Sequence, residues 1–244
     1  LKNEFVSTVS HELRTPLTSI VGALGLIIGK GTTTQLPNKI STLLEVAYRN
    51  SQRLTLLIND LLSFEKLEKE KNEFKPQLID LVILARNALE ENEAFSEQYS
   101  VELIFETTLR SAYILGDTRL LLQVFANLIS NACKFAPINT QVKISLELND
   151  NQYRTEIHDL GSGVPTEFNR RIFQRFAQAD SSSTRKKGGT GLGLSISKSI
   201  IELHQGIIGY MTSPQGATVF YFDLEAKPML TNIKTELVID KHEI

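Results

Sequence analysis

A histidine, a carboxylate beside it and a hydroxyl one helical turn further on stand together near the start of the chain. They are His11, Glu12 and Thr15, in the stretch Ser10-His11-Glu12-Leu13-Arg14-Thr15-Pro16-Leu17. A neutral imidazole is a nucleophile. A carboxylate that accepts from its other ring nitrogen fixes the tautomer and stabilises the imidazolium that an attack would create. Thr15 falls on the same helix face as His11, where its hydroxyl can orient a water. Pro16 cannot donate to the carbonyl of Glu12 and its ring presses on that turn, which predicts a kink next to the histidine.

Three further motifs carry chemistry. Asn127-Leu128-Ile129-Ser130-Asn131-Ala132-Cys133-Lys134-Phe135 reads as helix, with Asn127 and Asn131 four residues apart on one face and Lys134 on the next turn. An amide oxygen suits one position on Mg²⁺, with phosphate and water filling the rest, and a lysine can neutralise phosphate. Taken alone, two asparagines at this spacing more often face solvent or bond a neighbouring loop. His158-Asp159-Leu160-Gly161-Ser162-Gly163-Val164-Pro165 follows a strand. A carboxylate at that point can accept from the exocyclic amine of adenine, and Gly161 and Gly163 allow a sharp turn and close approach to a base. Taken alone, Asp-x-Gly is a plain turn. Gly188-Gly189-Thr190-Gly191-Leu192-Gly193-Leu194 runs into a helix, an arrangement that exposes amide N–H groups to phosphate. It is neither a Walker loop, since no Gly-Lys-Ser/Thr follows, nor a dinucleotide fingerprint, since spacing and position differ. The polar, basic stretch ahead of it, Ala179 to Lys187, reads as a lid over a polyanion or as a surface loop.

The elements that must position these residues follow from periodicity. Val6, Val9, Leu13, Leu17, Ile20, Leu24 and Ile27 make one helical stripe, broken at Gly29 to Thr34. A second helix begins after Pro37-Asn38 and carries Ile40, Leu43, Ala47, Leu54, Leu57, Leu61 and Phe64, with Asn50 polar in the seam and Leu44, Ile58 and Leu62 widening the apolar face. A hairpin this wide leaves apolar surface in water, which pairing with a second copy into a four-helix bundle would cover. Lys66 to Asn72 is charged and reads as the solvated helix end and a hinge. The remainder alternates: a strand near Phe74–Leu78, a helix over Asp80–Ser96, strands at Val101–Thr107 and Tyr113–Gly116, and a helix capped by Asp117 that runs to Phe135. A hairpin turning at Asn149-Asp150-Asn151, a helix over Leu192–His204 and a last hairpin to Leu224 complete an α+β two-layer sandwich. Cys133 falls on the apolar side of its helix, and His158, His204 and His242 read as structural or surface histidines.

Composition narrows the classes. With 41% hydrophobic and 22% charged residues the chain is that of a soluble globular protein, and a net charge of −2 gives no footprint for nucleic acid or an anionic membrane. One cysteine permits no internal disulfide, which fits a reducing compartment. The longest apolar run is too short to span a bilayer, no signal peptide is legible, and an opening Leu1 points to a fragment.

The order of the motifs resembles that of sensor histidine kinases. Ser10–Leu17 is similar to their histidine box, Asn127–Phe135 to the N box, Asp159-x-Gly161-x-Gly163 to the first glycine box, Ile172–Phe176 to the phenylalanine box, Gly189-x-Gly191-x-Gly193 to the second glycine box, and Gly216-Ala217-Thr218 to the small motif closing the adenine pocket. The resemblance implies a dimerisation and phosphoacceptor domain over residues 1–70 and a Bergerat-type ATP-binding domain over 71–226. It also implies autophosphorylation of His11 from ATP and transfer to an aspartate of a response regulator, with a possible phosphatase role for Thr15. Carried over by position, Asn131 holds Mg²⁺, Asn127 and Lys134 face the phosphates, and Asp159 binds adenine. Gly161, Gly163, Gly189, Gly191, Leu192, Gly193 and Thr218 line the nucleotide, and Phe173 and Phe176 anchor the lid. Gln178 replaces an arginine found in many relatives, a duty that passes to Arg185, Lys186 or Lys187. The expected partners are a second copy and a receiver domain, with no nucleic acid and no membrane contact by this fragment, and the expected location is cytoplasmic. Residues 227–244 read as a linker in which Thr235–Ile244 resembles the opening strand of a receiver, or as a plain tail. The rival readings are a non-catalytic dimeric scaffold and a gyrase-like ATPase. The latter leaves the His11 box unexplained and has Asn127 where its glutamate would stand.

Overall fold

The computed structural model describes residues 17–28, 38–70, 74–177, 190–212 and 217–228. His11, Glu12, Thr15, Pro16, Arg185, Lys186, Lys187, Gly189 and the tail with His242 lie outside the described residues.

Two helices come first, α1 over residues 17–28 and the long α2 over Asn38–Glu70. They meet closely enough that a Cβ on Gly25 would stand 3.5 Å from the Tyr48 ring. Asn50, expected in the seam, turns its amide back to donate to the Val46 carbonyl (2.8 Å), so it disturbs no apolar packing. Ile20, Leu26, Ile40, Leu43, Val46, Leu54 and Leu56 remain exposed.

The rest is a two-layer α+β unit. Its elements are β1 (Gln77–Asp80), α3 (Leu81–Gln98), β2 (Val101–Glu106), β3 (Tyr113–Gly116), α4 (Thr118–Phe135), β4 (Thr140–Asn149), β5 (Gln152–His158), α5 (Gly193–Leu203), β6 (Ile207–Thr212) and β7 (Thr218–Glu225). The main sheet runs β2-β4-β5-β7-β6, with β2 and β4 parallel and the other pairs antiparallel; β1 and β3 form a separate antiparallel ribbon. Strand β1 begins three residues later than periodicity predicts. Pro76 has no N–H for a ladder, and Phe74 turns inward to meet the His204 ring edge-on at 4.9 Å.

Alternation decides which face is core. Val142, Ile144 and Leu146 of β4, Ile157 of β5, and Phe220, Phe222 and Leu224 of β7 point inward and are buried with the apolar stripes of α3, α4 and α5. On the outer face Arg154 makes two 2.7 Å bonds to the Asp223 carboxylate and lies 4.3 Å over the Tyr221 ring. Aspartates cap α3 and α4, Asp117 as the sequence suggests and Asp80 from the last position of β1. The Asp80 carboxylate accepts from the N–H of Val82 and of Ala112, both at 2.9 Å, and Asp117 accepts from Leu120 N–H at 3.0 Å. The β4–β5 turn carries Asp150 at φ 52°, the left-handed conformation that tight hairpins need. Cys133 is buried, and burial pushes its thiol up to about 11.

His204 ties the last helix to the start of α4. Its Nδ1–H donates to the Ile200 carbonyl (2.8 Å) and its Nε2 accepts from the Asp117 N–H (2.9 Å), which defines one neutral tautomer. Burial holds its pKa below the ordinary 6.5. Above 6.5 both folded and unfolded imidazoles are neutral and contribute no pH dependence. As pH falls below 6.5 the unfolded chain takes the proton first, so stability is lost until the folded value is passed. His158, whose pKa is also lowered by burial, acts in the same direction. His204→Ala is therefore expected to cost about 1–3 kcal/mol in urea unfolding at pH 8, by orphaning the Asp117 N–H. It should also flatten, without abolishing, the loss of stability between pH 7 and 5.

Candidate functional site

The site grows from the edge of α4. Its apolar stripe (Leu121, Val124, Phe125, Leu128, Ile129, Ala132 and Cys133) is sunk in the core, so Asn127, Asn131 and Lys134 are carried along one rim. The two asparagines share that rim as their spacing predicts, but they act differently. Asn127 donates from Nδ2 to the Gly193 carbonyl (3.2 Å) and to the buried Ser197 hydroxyl (3.3 Å), tying α4 to the first turn of α5. Asn131, half-buried, engages no other described residue through its side chain, so its amide oxygen is available to a ligand. Lys134 has its Nζ 5.8 Å from the centroid of the Phe95 ring. Burial draws its pKa below the ordinary lysine value, while the Asp60 carboxylate pulls the other way. No group of three or more His, Cys, Asp or Glu among the described residues could hold a metal. A cation here would rest on the Asn131 oxygen with phosphate and water, a donor set that fits Mg²⁺.

At the end of β5, Asp159 is 3% exposed. Its N–H donates to the carbonyl of the buried Thr218 (3.1 Å), and its Oδ1 accepts from the Gly161 N–H (2.7 Å). A Cβ at Gly161 would stand 2.7 Å from Asp159 Oδ1 and 2.8 Å from the Phe135 carbonyl oxygen, so only glycine fits. That contact seats the Asp159 turn on the last residue of α4, one turn from Asn131. Gly163 takes φ 76°, again a glycine conformation.

The phenylalanine-rich stretch leads up to the expected lid, whose residues 178–189 lie outside the described ones. Ile172 is buried and Phe173 packs on the core, but the Phe176 ring is 62% exposed. What Phe176 supplies is backbone. With φ 59° it brings its carbonyl carbon to within 2.8 Å of where a Gly191 Cβ would be, at the same distance as the Ala177 oxygen. Gly191, at φ 75°, therefore lies directly against the backbone of Phe176 and Ala177. Leu192 puts its side chain in the core, and only its backbone faces the loop: its N–H donates to Thr190 Oγ1 (3.2 Å) and its carbonyl accepts from Ser195 Oγ (2.8 Å) and Ile196 N–H (2.9 Å).

Three participants escaped sequence reasoning. Ser197 holds Asn127 in place. Thr190 accepts from the Leu192 N–H just ahead of α5, and its hydroxyl donates to Asp60 Oδ2 on α2. The signal for Thr190 was its place inside the glycine motif; for Asp60 it was a lone charge flanked by Leu57, Ile58, Leu61 and Leu62.

Comparison with known proteins agrees along most of the chain. Residues 1–70 match the family model "His Kinase A (phospho-acceptor) domain", and residues 116–228 match "Histidine kinase-, DNA gyrase B-, and HSP90-like ATPase". The chain is 34% identical over 233 residues to hybrid signal transduction histidine kinase D of Dictyostelium discoideum, covering 93% of this chain and 15% of that protein. It is 33% identical over 229 residues to sensor histidine kinase WalK of Bacillus subtilis, covering 93% and 37%. A crystal structure of full-length ShkA in complex with AMPPNP superimposes with a TM-score of 0.68 at 26% identity, covering 91% of this chain and 46% of that one. The chain thus spans well under half the length of these curated relatives.

Removing the Asn127 amide should loosen α5 rather than unfold the domain. In Asn127→Ala, amide exchange in the first turn of α5 is expected to rise about tenfold while that of β4 and β5 is unchanged, as read by hydrogen–deuterium exchange.

Proposed function

The chain belongs to the sensor histidine kinases, and from that premise we propose that it phosphorylates His11 from ATP and passes the phosphoryl group to an aspartate of a response-regulator receiver domain. The observation that carries the ATP reading is Asp159. It is a buried carboxylate with one oxygen held by Gly161, beside Thr218, and seated one helical turn from Asn131. A buried carboxylate held there can accept from the exocyclic amine of adenine, which guanine does not offer at that position. AMPPNP bound in the related ShkA structure supports the same assignment.

The residues divide the work. Asp159 and Thr218 select the base, and Gly161 and Gly163 let the backbone approach it. Lys134 neutralises phosphate charge. Gly191 and Gly193 present N–H groups at the start of α5, where the helix dipole favours anions, and Gly189 and Leu192 are assigned to the nucleotide by their place in the same motif. Asn131 would hold Mg²⁺, which when bound supplies charge neutralisation along the phosphates. Arg185, Lys186 or Lys187 substitutes for the arginine missing at Gln178. His11 attacks through one ring nitrogen while Glu12 accepts from the other and stabilises the imidazolium. Thr15 orients a water against the aspartyl phosphate of the partner, giving the opposing phosphatase activity.

The domains we assign are 1–70 for dimerisation and phosphoacceptance, 71–226 for ATP binding, and 227–244 as a linker and the start of a receiver domain. Dimerisation into a four-helix bundle is supported by the exposed apolar residues of α1 and α2, from Ile20 to Leu56. No helix among the described residues is long and apolar enough to cross a membrane. A cytoplasmic position for this module follows from its need for ATP and a receiver.

Incubation with γ-labelled ATP is expected to give acid-labile, base-stable label on the wild type and none on His11→Ala. An unlabelled wild type would overturn the kinase reading in favour of a scaffold. Thr15→Ala is expected to keep autophosphorylation within about twofold while slowing dephosphorylation of a phosphorylated receiver about tenfold or more, the usual scale for a lost positioning group.

A further inference from the structure

Asp60 has no role in the chemistry above, yet it sits where the two domains touch. On α2, the neighbouring Ile58 is buried and Leu57 packs against the core of the ATP-binding unit, while α2 also contacts α5. Between them the half-buried Asp60 accepts from the Thr190 hydroxyl. Thr190 is 9% exposed and uses the same oxygen to accept from the Leu192 N–H, so the bond reaches the start of α5. The carboxylate is also attracted by Lys134, and Lys134 feels it in return. The helix start and Lys134 are the two features that would receive a triphosphate, so this carboxylate, borne by the other domain, sits in the electrostatic field of both.

A carboxylate and a triphosphate cannot share that edge without repulsion, because partial burial weakens solvent screening of their charges. Burial already works against the charge on Asp60, raising its pKa, with the Thr190 bond and Lys134 only partly offsetting this. A contact held at such a cost is readily exchanged for a better anion.

We propose that Asp60 is an internal competitor of nucleotide: it holds the Thr190 hydroxyl within the field of Lys134, docks α2 on the ATP-binding unit, and is displaced by the arriving triphosphate, which frees that unit to swing toward His11. The inference rests on the ATP reading and adds an interlock to it. Nucleotide binding and domain release become one event, and by linkage anything that holds α2 against α5 weakens nucleotide binding by the same factor.

The full chain is titrated with Mg²⁺·AMPPNP by calorimetry, and its radius of gyration is followed by small-angle scattering. Asp60→Asn keeps an acceptor for Thr190 but removes the charge, and Asp60→Ala removes both. Both are expected to bind about tenfold tighter than wild type, a factor typical of one desolvated like-charge contact. Wild type is expected to expand when nucleotide is added, whereas Asp60→Ala is already expanded and changes little. Equal or weaker binding by both variants, in a wild type that does bind AMPPNP, overturns the interlock and leaves the kinase reading standing. A wild type that binds AMPPNP without expanding overturns domain release. A wild type that binds no nucleotide overturns the ATP reading, and the interlock with it.

Discussion

The packing of α4 on the inner face of the sheet is the constraint from which the site follows. One edge of that helix is committed to the core by Leu121, Phe125, Leu128 and Cys133, and the helical period then dictates where Asn127, Asn131 and Lys134 must lie. The same burial that stabilises the domain aims its polar rim, so the site needs no separate scaffold. Asp117 at one end and His204 against it define where α4 starts, and through the helical period set the direction of every residue downstream.

Around that rim the chain comes together backbone against backbone. Gly161 approaches the Phe135 carbonyl and Gly191 approaches Phe176 and Ala177, at distances that leave no room for a side chain. The first seats the Asp159 turn on the end of α4, and the second sets the start of the glycine motif against the backbone at 176–177. They also explain why Leu192, inside the glycine motif, can spend its side chain on the core while its backbone serves the loop. A site built this way presents backbone N–H groups at fixed positions, which suits an anionic ligand better than flexible side chains would.

The connection between the two parts of the molecule is of a different kind. Leu57 and Ile58 supply apolar contact, but the specific bond is Asp60 to Thr190, between residues 130 positions apart. Apolar contact lets domains slide, while a charge in a half-buried setting has a direction and a preferred partner. The interface therefore carries its polarity at the start of α5, where Thr190 bonds Asp60 on one side and the Leu192 N–H on the other.

Much of this was written in local sequence. Asp117 declared its helix cap, Asn149-Asp150-Asn151 its hairpin, Cys133 its burial, and the ordered His11, Asn127, Asp159 and Gly191 motifs the family. Each is a short-range matter of periodicity, turn stereochemistry or capping, settled within a few residues. The three-residue shift of β1, the exposure of the Phe176 ring, the engagement of Asn127 by Ser197 and the Asp60–Thr190 bond were not legible there. Phe74 leaves its strand because the His204 ring waits for it, and Phe176 is exposed because Ile172 and Phe173 take up the core contact. The sequence by itself determined which groups are present and on which face of which element they stand. Only the tertiary structure decided which of them meet, because a hydrogen bond or a ring contact depends on distances between elements, and those are set by how the whole core packs.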